Sequence, residues 1–284
     1  MQIVDNKPLS LREIQYAELG ILHRLVRFFE ANGIHYILCG GSMLGAVRHN
    51  GFIPWDDDVD LLVPREDYEK IRQLYRSGEA EIEGVVLTLP GDKGSSYPFI
   101  KAQDRSYVVM EDKRDEEHRA FVWVDVFPMD HFPDDEATHQ KYVKKITRLV
   151  QILSSNTITK EYLISRGYYT NPIKRVKLLG SQILYRLMGG SEKISRKIDR
   201  TARDMDTKYK TSNHVGDGAW PNGMKDYFPM EAVEPVEKHK FEDGEFNIPK
   251  NYDLYLTLFY GDYMKIPPES EREDHHITVY RVEK

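Results

Sequence analysis

Four aspartates within five residues, Asp56, Asp57, Asp58 and Asp60, are the side chains of this sequence best suited to metal chemistry. The last two lie at the start of a mostly apolar run, residues 59–63, which is typical of a β-strand. Side chains two residues apart on a strand share one face, so these carboxylates would lie about 6–7 Å apart along it. Both could then bind one divalent cation or two neighbouring ones, and Mg²⁺ or Mn²⁺ prefers such hard oxygen ligands. The alternative is that these aspartates cap a turn and carry solvated charge.

A glycine turn precedes the acidic cluster. An apolar strand predicted over residues 34–39 leads into Gly40, Gly41 and Ser42, and Asp58 follows 16 residues after Ser42. Two glycines let the backbone approach a phosphate closely, and the serine adds a hydroxyl donor. A short helix predicted over residues 42–50 would point its N-terminus at the same phosphate. The glycine turn, the helix N-terminus and the four aspartates together indicate metal-assisted attack on phosphorus.

Two further charged residues lie inside predicted strands. Asp125 interrupts the apolar strand predicted over residues 120–127, and an unpaired buried carboxylate is costly. It therefore needs a metal, a cation or a set of donors, the alternative being bonds from backbone amides alone. Lys101, in a strand predicted over residues 98–102, is a candidate phosphate contact, the alternative being a solvated lysine. Asp130 is expected outside the strand, as a loop cap.

The stretch from Gly40 to Asp60 resembles the signature of the LicD family, which belongs to the nucleotidyltransferase-fold superfamily and includes the fukutin-related proteins. The matching positions are Gly40, Gly41, Ser42, Leu44, Gly45, Arg48, Gly51, Ile53, Pro54, Trp55, Asp56, Asp57, Asp58 and Asp60. A second matching block near the C-terminus comprises residues 260–264, Pro267, Pro268, Glu271, Arg272, His275 and His276. The two blocks lie at opposite ends, so the resemblance covers nearly the whole chain.

The resemblance implies an enzyme that moves a phospho-alcohol group from a CDP-activated donor to a sugar hydroxyl and releases CMP. The best-known family case is transfer of phosphocholine from CDP-choline to a glycan, either a teichoic-acid precursor or lipopolysaccharide. On this reading Asp58 and Asp60 hold Mg²⁺ or Mn²⁺, while Asp125 completes the metal set and acts as general base. The phosphate contacts expected are Gly41, Ser42, Arg48 and Lys101.

Other interpretations remain open at this point. The same carboxylates would serve a nucleotidyltransferase that delivers a nucleotide and releases pyrophosphate. A non-catalytic scaffold that binds metal or glycan is a third alternative. Trp55 and the tyrosines of the tail are expected to stack on cytosine or to surround a quaternary ammonium group. The pair His275 and His276 is a candidate for metal or phosphate contact.

The predicted architecture is α/β (α+β), a nucleotidyltransferase-like core with a mixed sheet over residues 1–133. A helical insertion follows over residues 134–212, and an α/β tail, residues 213–284, is expected to pack back on the core. Ser10 and Glu13 form a capping-box pattern that starts the first helix.

The predicted insertion is basic, with 17 lysine and arginine residues against 8 aspartate and glutamate residues between Asp134 and Lys210. One predicted helix, opened by Asn171 and Pro172, has apolar residues at positions 173, 176, 179, 183, 184 and 187. A solvated cationic face is one interpretation, and contact with anionic lipid or a lipid-linked acceptor is another. No nucleic-acid recognition motif is present, so we expect no nucleic-acid partner.

The cysteine count and the distribution of apolar residues bear on the cellular location of the protein. The single cysteine, Cys39, cannot form an internal disulfide and is expected to be buried and unreactive. The first residues lack the apolar core of a signal peptide, and no apolar run approaches the roughly 20 residues of a membrane span. We therefore expect a cytoplasmic protein, with peripheral contact at the inner face of the membrane as the alternative that the basic helices raise.

Overall fold

The computed structural model describes residues 3–4, 7–110, 120–157, 160–272 and 277–283. The helices are α1 (Leu11–Ala31), α2 (Gly40–His49), α3 (Arg65–Ser77), α4 (Glu136–Asn156), α5 (Lys160–Ser165), α6 (Pro172–Leu187), α7 (Gly190–Lys208) and α8 (Tyr252–Tyr260). The strands are β1 (Ile37–Leu38), β2 (Asp60–Pro64), β3 (Val86–Thr88), β4 (Ile100–Met110), β5 (Ala120–Phe132), β6 (His214–Asp217), β7 (Phe228–Pro229), β8 (Val236–Phe241), β9 (Gly244–Pro249) and β10 (Thr278–Arg281). The predicted α/β class is confirmed.

A mixed sheet forms the centre of the molecule, in the order β1-β2-β5-β4-β10. Strands β2 and β5 run parallel, whereas β4 is antiparallel to β5. β3 pairs with β4, and β6 extends the sheet from the far end of β5 to β7. Strands β8 and β9 form a separate hairpin, at the position where the sequence predicts one.

Helix α1 forms for the reason that the sequence suggests. The Ser10 side chain accepts from the Glu13 amide while the Glu13 carboxylate accepts from the Ser10 amide, so the predicted capping box is confirmed. Its apolar stripe, with Leu22, Leu25 and Phe29, is buried in the main hydrophobic core. The buried side chains of α1 and of the sheet therefore form one continuous hydrophobic core.

Two strands near the candidate site, β4 and β5, are longer than the sequence predicts. The sequence predicts separate strands over residues 98–102 and 107–110, but β4 is one strand whose register shifts between Asp104 and Val108. A bulge of this kind absorbs extra residues without ending a strand. Asp130, expected outside the strand as a loop cap, lies within β5, because the end of β5 pairs with the distant strand β6.

The helices between residues 136 and 208 enclose a second hydrophobic cluster. Phe132 of β5 lies in it together with Ile146 and Leu153 of α4 and Ile194 and Ile198 of α7. Helix α6 packs on α4 and α7, but of its side chains only Leu178 is buried. Among the helices within the described residues, none is long and apolar enough to cross a membrane.

Candidate active site

Three charged residues predicted separately from the sequence lie in one row across the sheet. Asp60 of β2 is in register with Asp125 of β5, and Asp125 is in register with Lys101 of β4. Side chains in register on neighbouring strands share a face and lie about 5 Å apart. The strands therefore bring Asp60, Asp125 and Lys101 to one surface of the sheet.

Lys101 and Asp125 form a buried ion pair. The Lys101 Nζ lies 2.8 Å from Oδ1 and 3.0 Å from Oδ2 of Asp125. Aromatic rings enclose the ammonium group, with the ring centre of Trp123 at 4.0 Å and that of Tyr97 at 4.2 Å. The alternative of a solvated lysine is therefore wrong, because only 4% of Lys101 is exposed. A contact between Lys101 and a phosphate stays a prediction.

Ser42 holds the backbone of Asp60. The Asp60 amide donates to the Ser42 Oγ at 2.9 Å, and the Cys39 amide donates to the Asp60 carbonyl at 3.1 Å. Ser42 is buried, so its oxygen is used to orient the acidic strand. The predicted contact of Ser42 with phosphate would have to use the hydroxyl hydrogen, and it stays a prediction.

Burial and the neighbouring carboxylates both oppose ionisation of Asp60. Burial raises the pKa of Asp60 well above its ordinary value, and the neighbouring charges of Asp58 and Asp125 raise it further. Asp56 acts in the same direction, while Lys101 opposes it. A cluster with this balance favours either a bound proton or a bound cation.

The first turn of α2 approaches this cluster closely. The helix begins at Gly40, two residues earlier than predicted, and the side chain of its N-cap residue, Cys39, makes no capping hydrogen bond. A carboxylate oxygen of Asp56 lies 2.5 Å from the position that a Cβ of Gly41 would occupy. Gly40 adopts a φ of +52°, which favours glycine. The glycines thus bring helix amides and acidic side chains together.

Arg48 and Trp55 contact the C-terminal segment instead. The Arg48 guanidinium donates to the carbonyl of Tyr263 at 2.8 Å and to His49 at 2.9 Å. The guanidinium of Arg272 lies 4.3 Å from the ring centre of Trp55. The stretch from Gly40 to Asp60 therefore contacts the C-terminal block that also matches the LicD signature. Arg48 itself does not lie in the row of Asp60 and Asp125. Its role at a phosphate stays a prediction, and His275 and His276 lie outside the described residues.

Sequence reasoning missed Glu18. This side chain of α1 is fully buried, and neither carboxylate oxygen has a hydrogen-bond partner among the described residues. Burial raises its pKa well above the ordinary value, with Asp58 and Asp57 as the next causes. The signal was present, because Glu18 falls on the apolar stripe of α1 between Ile14 and Leu22.

A second pair of acids, also missed, lies beside the row. Asp217 and Asp226 line a small cavity next to Asp60, and the aromatic walls are Phe127, Trp220, Phe228, Tyr255 and Phe259. Burial raises the pKa of Asp226 to about 7. Burial and the charge of Asp226 raise the pKa of Asp217 well above its ordinary value. Asp217 also accepts from the amides of Ala219 and Trp220, so it shapes the loop that closes the cavity.

The donor set suits a hard divalent cation, since Asp58, Asp60 and Asp125 offer only carboxylate oxygens and repel one another. Within the ranges that the structure describes, no three Asp, Glu, His or Cys side chains already form a metal-ligand group. Both Asp125 oxygens lie within 3.0 Å of the Lys101 Nζ. A metal bound here would share Asp125 with this lysine.

Comparison with known proteins finds a family match whose range includes the candidate site. Residues 33–158 match the model of the family described as LicD/FKTN/FKRP, nucleotidyltransferase domain. This range includes the glycine turn, the acidic cluster, Lys101 and Asp125. Over 284 residues the chain is 28% identical to the lipopolysaccharide cholinephosphotransferase LicD of Haemophilus influenzae, covering 95% of this chain and 97% of that protein.

A shorter match reaches mammalian proteins. Over 71 residues the chain is 46% identical to the ribitol 5-phosphate transferase FKRP of Homo sapiens and of Mus musculus. That stretch is 25% of this chain and 13% of those proteins. The likeness to them therefore concerns one segment, whereas the likeness to the bacterial transferase extends over nearly the whole length.

Proposed function

We propose that the chain, whose residues 33–158 match the nucleotidyltransferase domain of the LicD family, transfers a phospho-alcohol group to a cell-surface glycan. The donor is a CDP-activated alcohol, the acceptor is a sugar hydroxyl, and CMP is the product that leaves. The observation that carries the proposal is the row of Asp60, Asp125 and Lys101. Its Asp60 lies against the first turn of α2, with a carboxylate oxygen 3.4 Å from the position that a Cβ of Gly40 would occupy.

Asp58 and Asp60, together with Asp125, would hold one or two Mg²⁺ or Mn²⁺ ions. When bound, the metal would neutralise charge on the donor diphosphate and on the phosphorus under attack. The amides in the first turn of α2 bind phosphate oxygens, since the N-terminus of a helix presents unpaired N–H groups. Gly40 and Gly41 let the carboxylates of Asp60 and Asp56 approach the same turn. Ser42 keeps Asp60 in place through the Asp60 amide.

Asp125 accepts the proton of the acceptor hydroxyl. Its ion pair with Lys101 favours the carboxylate form that a base requires. The hydroxyl oxygen attacks the phosphorus that bears the alcohol, and the bond between this phosphorus and the bridging oxygen of CMP breaks. The electron pair of that bond leaves with CMP, and the proton stays on Asp125 until solvent removes it.

Choline is the alcohol that we propose for the donor. The full-length bacterial relative is a cholinephosphotransferase by name. The cavity beside Asp60 adds a physical reason, because its aromatic walls and the acids Asp217 and Asp226 suit a quaternary ammonium group. Ribitol is the alternative that the mammalian relatives suggest, and the acceptor is proposed as lipopolysaccharide or a teichoic-acid precursor.

The test is CMP release from CDP-choline with crude glycan acceptor, with and without Mg²⁺. Asp60→Asn and Asp125→Asn are expected to lower the rate by at least about 100-fold, since each removes a charged group from the reacting centre. The matched control is Asp243→Asn, whose carboxylate lies exposed on the β8–β9 hairpin. This control should release CMP at the rate of the unchanged protein.

Other products would decide between the alternatives. Release with CDP-ribitol or CDP-glycerol alone would keep the reaction and replace choline. Pyrophosphate release from a nucleoside triphosphate would establish nucleotidyl transfer instead. If a competent acceptor gave no product with any donor, a scaffold would be the better conclusion. Metal binding is tested separately, because Mg²⁺ should raise the melting temperature of the unchanged protein and not that of Asp60→Asn.

A further inference from the structure

Helix α6 presents an uncovered apolar surface. Six large apolar side chains on it are exposed, from 46% for Leu184 to 79% for Leu187. We call this set the α6 stripe, and its members are Ile173, Val176, Leu179, Ile183, Leu184 and Leu187. An exposed apolar surface of this extent on one element marks an interaction site more often than chance.

The α6 stripe is continuous and faces away from the protein. At the angular step of an α-helix its six residues fall within an arc of about 140°. The opposite side of the helix holds Leu178, Ser181 and Tyr185. Leu178 is buried, Ser181 bonds with Ser155 of α4, and the Tyr185 hydroxyl accepts from the Ser191 amide. The packed side of α6 is thus distinct from the stripe.

Cations border the α6 stripe on both sides. On the helical wheel Lys177 lies beside Leu184, and Arg175 and Arg186 lie beside Leu179. These three flanking cations are exposed, and Pro172–Leu187 contains no acidic residue. Lys174 lies on the packed side of the wheel, and its Nζ donates to the Arg166 carbonyl at 2.9 Å. Long basic side chains placed in this way can reach sideways while the apolar residues between them are buried.

We infer that α6 lies in the surface of an anionic membrane, with the α6 stripe among the acyl chains and its cations at the lipid headgroups. Such a helix has an apolar face and a polar face rich in lysine and arginine. A second copy of this chain is a poorer occupant, because symmetric pairing would place three cations opposite three cations. The negative potential of an anionic leaflet complements them instead.

The experiment is flotation of the full-length protein with vesicles of neutral phosphatidylcholine, or of phosphatidylcholine with 30% phosphatidylglycerol, at low salt. We expect binding to the anionic vesicles and little to the neutral ones. The variant Val176→Ser/Ile183→Ser/Leu187→Ser should lose binding at least tenfold. Because these side chains are exposed, its melting temperature should equal that of the unchanged protein.

Charge is tested with a matched pair of variants. Arg175→Gln/Lys177→Gln/Arg186→Gln removes the three flanking cations from α6, and Lys193→Gln/Lys197→Gln/Arg200→Gln removes three exposed cations from α7. Both change the net charge equally, so a difference between them reports position. We expect the α6 variant to lose binding to anionic vesicles and the α7 variant to keep most of it.

A fluorescent label gives a second readout. Cys39 is the single cysteine and is buried, so an environment-sensitive thiol dye can be directed to Ile183→Cys or, as a control, to Arg200→Cys on α7. Anionic vesicles should shift the emission of the dye at position 183 to shorter wavelength and leave the dye at position 200 unchanged.

Three outcomes would overturn the inference. The first is that the unchanged protein ignores anionic vesicles at low salt. The second is that the serine variant of the α6 stripe floats as well as the unchanged protein. The third is sedimentation as a dimer that the same serine variant abolishes, which would assign the surface to a second copy. No CDP-alcohol or glycan is present in these assays, so a failure of the proposed transferase activity would not affect them.

Discussion

Gly41 shows how closely single residues are packed at the candidate site. A Cβ at this position would lie 2.5 Å from a carboxylate oxygen of Asp56, closer than carbon and oxygen can approach without displacement. Any side chain at position 41 must therefore push Asp56 away. The absence of a side chain is thus as much a part of the site as the acids are.

Gly41→Ala is expected to lower CMP release by roughly 100-fold, because displacement of a reacting group by about 1 Å can cost that much. The steady-state rate with CDP-choline measures it. Gly20→Ala in α1 is the matched control, since the nearest atom to its new Cβ is 3.8 Å away. That control should keep its activity and gain about 0.5–1 kcal/mol of stability. Full activity of Gly41→Ala would show that Asp56 is free to move.

His139 of α4 is a buried histidine whose protonation the fold opposes. It is 1% exposed, between the rings of Phe132 and Tyr227, each with its centre 4.4 Å away. Neither ring nitrogen has a partner among the described residues. Burial holds the pKa of His139 down to about 4, compared with about 6.5 for an unperturbed histidine.

The sign of the pH effect follows from these two pKa values. Between about pH 6.5 and pH 4 the unfolded chain binds a proton that the native His139 refuses, so the free energy of unfolding falls as the pH falls. His139→Phe removes this titration. Urea unfolding at pH 7.5 and pH 5 should show the variant gaining stability relative to the unchanged protein at the lower pH. An equal difference at both pH values would contradict burial of a neutral His139.

At the scale of elements, a buried ion network joins α3, β5 and α7. The Arg65 guanidinium bonds both oxygens of Asp130 at 2.6 and 2.7 Å, and it also bonds Asp199 at 3.0 Å. Arg72 and Arg203 also donate hydrogen bonds to the carboxylate of Asp199. Burial still raises the pKa of Asp130 to about 6 despite its partner. The network explains how the basic helices are held to the sheet.

Arg65→Ala should lower the free energy of unfolding by roughly 3–5 kcal/mol, because it leaves Asp130 and Asp199 buried with a lost partner. Urea unfolding measures the loss. Lys238→Ala, which breaks an exposed ion pair with Glu30, is the control and should cost less than about 1 kcal/mol. Equal effects of the two substitutions would mean that the buried network contributes no more than a surface pair.

At the scale of the whole molecule, the two ends of the chain meet on the sheet. Strand β10 pairs with β4, the Leu9 amide donates to the Val279 carbonyl at 2.8 Å, and the Val4 amide donates to the Arg281 carbonyl at 3.1 Å. Val279 is fully buried in the main core. The C-terminal segment therefore completes the same core that positions Asp125.

A chain that ends at residue 276 is expected to lose about 2–4 kcal/mol of stability, since it removes buried Val279 and uncovers the edge of β4. Thermal unfolding compares it with the full chain. A chain that ends at residue 282 keeps β10 and should unfold at the temperature of the full chain. If the shorter chain also did so, β10 would contribute nothing to the core.

Local sequence patterns determined much of this protein. The capping box of α1, the β8–β9 hairpin and the apolar runs of the sheet are short-range features, because each depends on residues a few positions apart. The glycine turn and the spacing of Asp58 and Asp60 likewise predicted a candidate site from a single stretch. The basic character of the helices between residues 136 and 208 could also be counted directly.

Only the tertiary structure decided which distant residues meet. Register between β2, β5 and β4 places Lys101 against Asp125, and a strand's register depends on pairing across many intervening residues. The pairing of β5 with β6 placed Asp130 inside a strand. The same apolar periodicity occurs in α1, which is buried, and in α6, which is exposed, because burial depends on what packs against a helix and not on the helix alone.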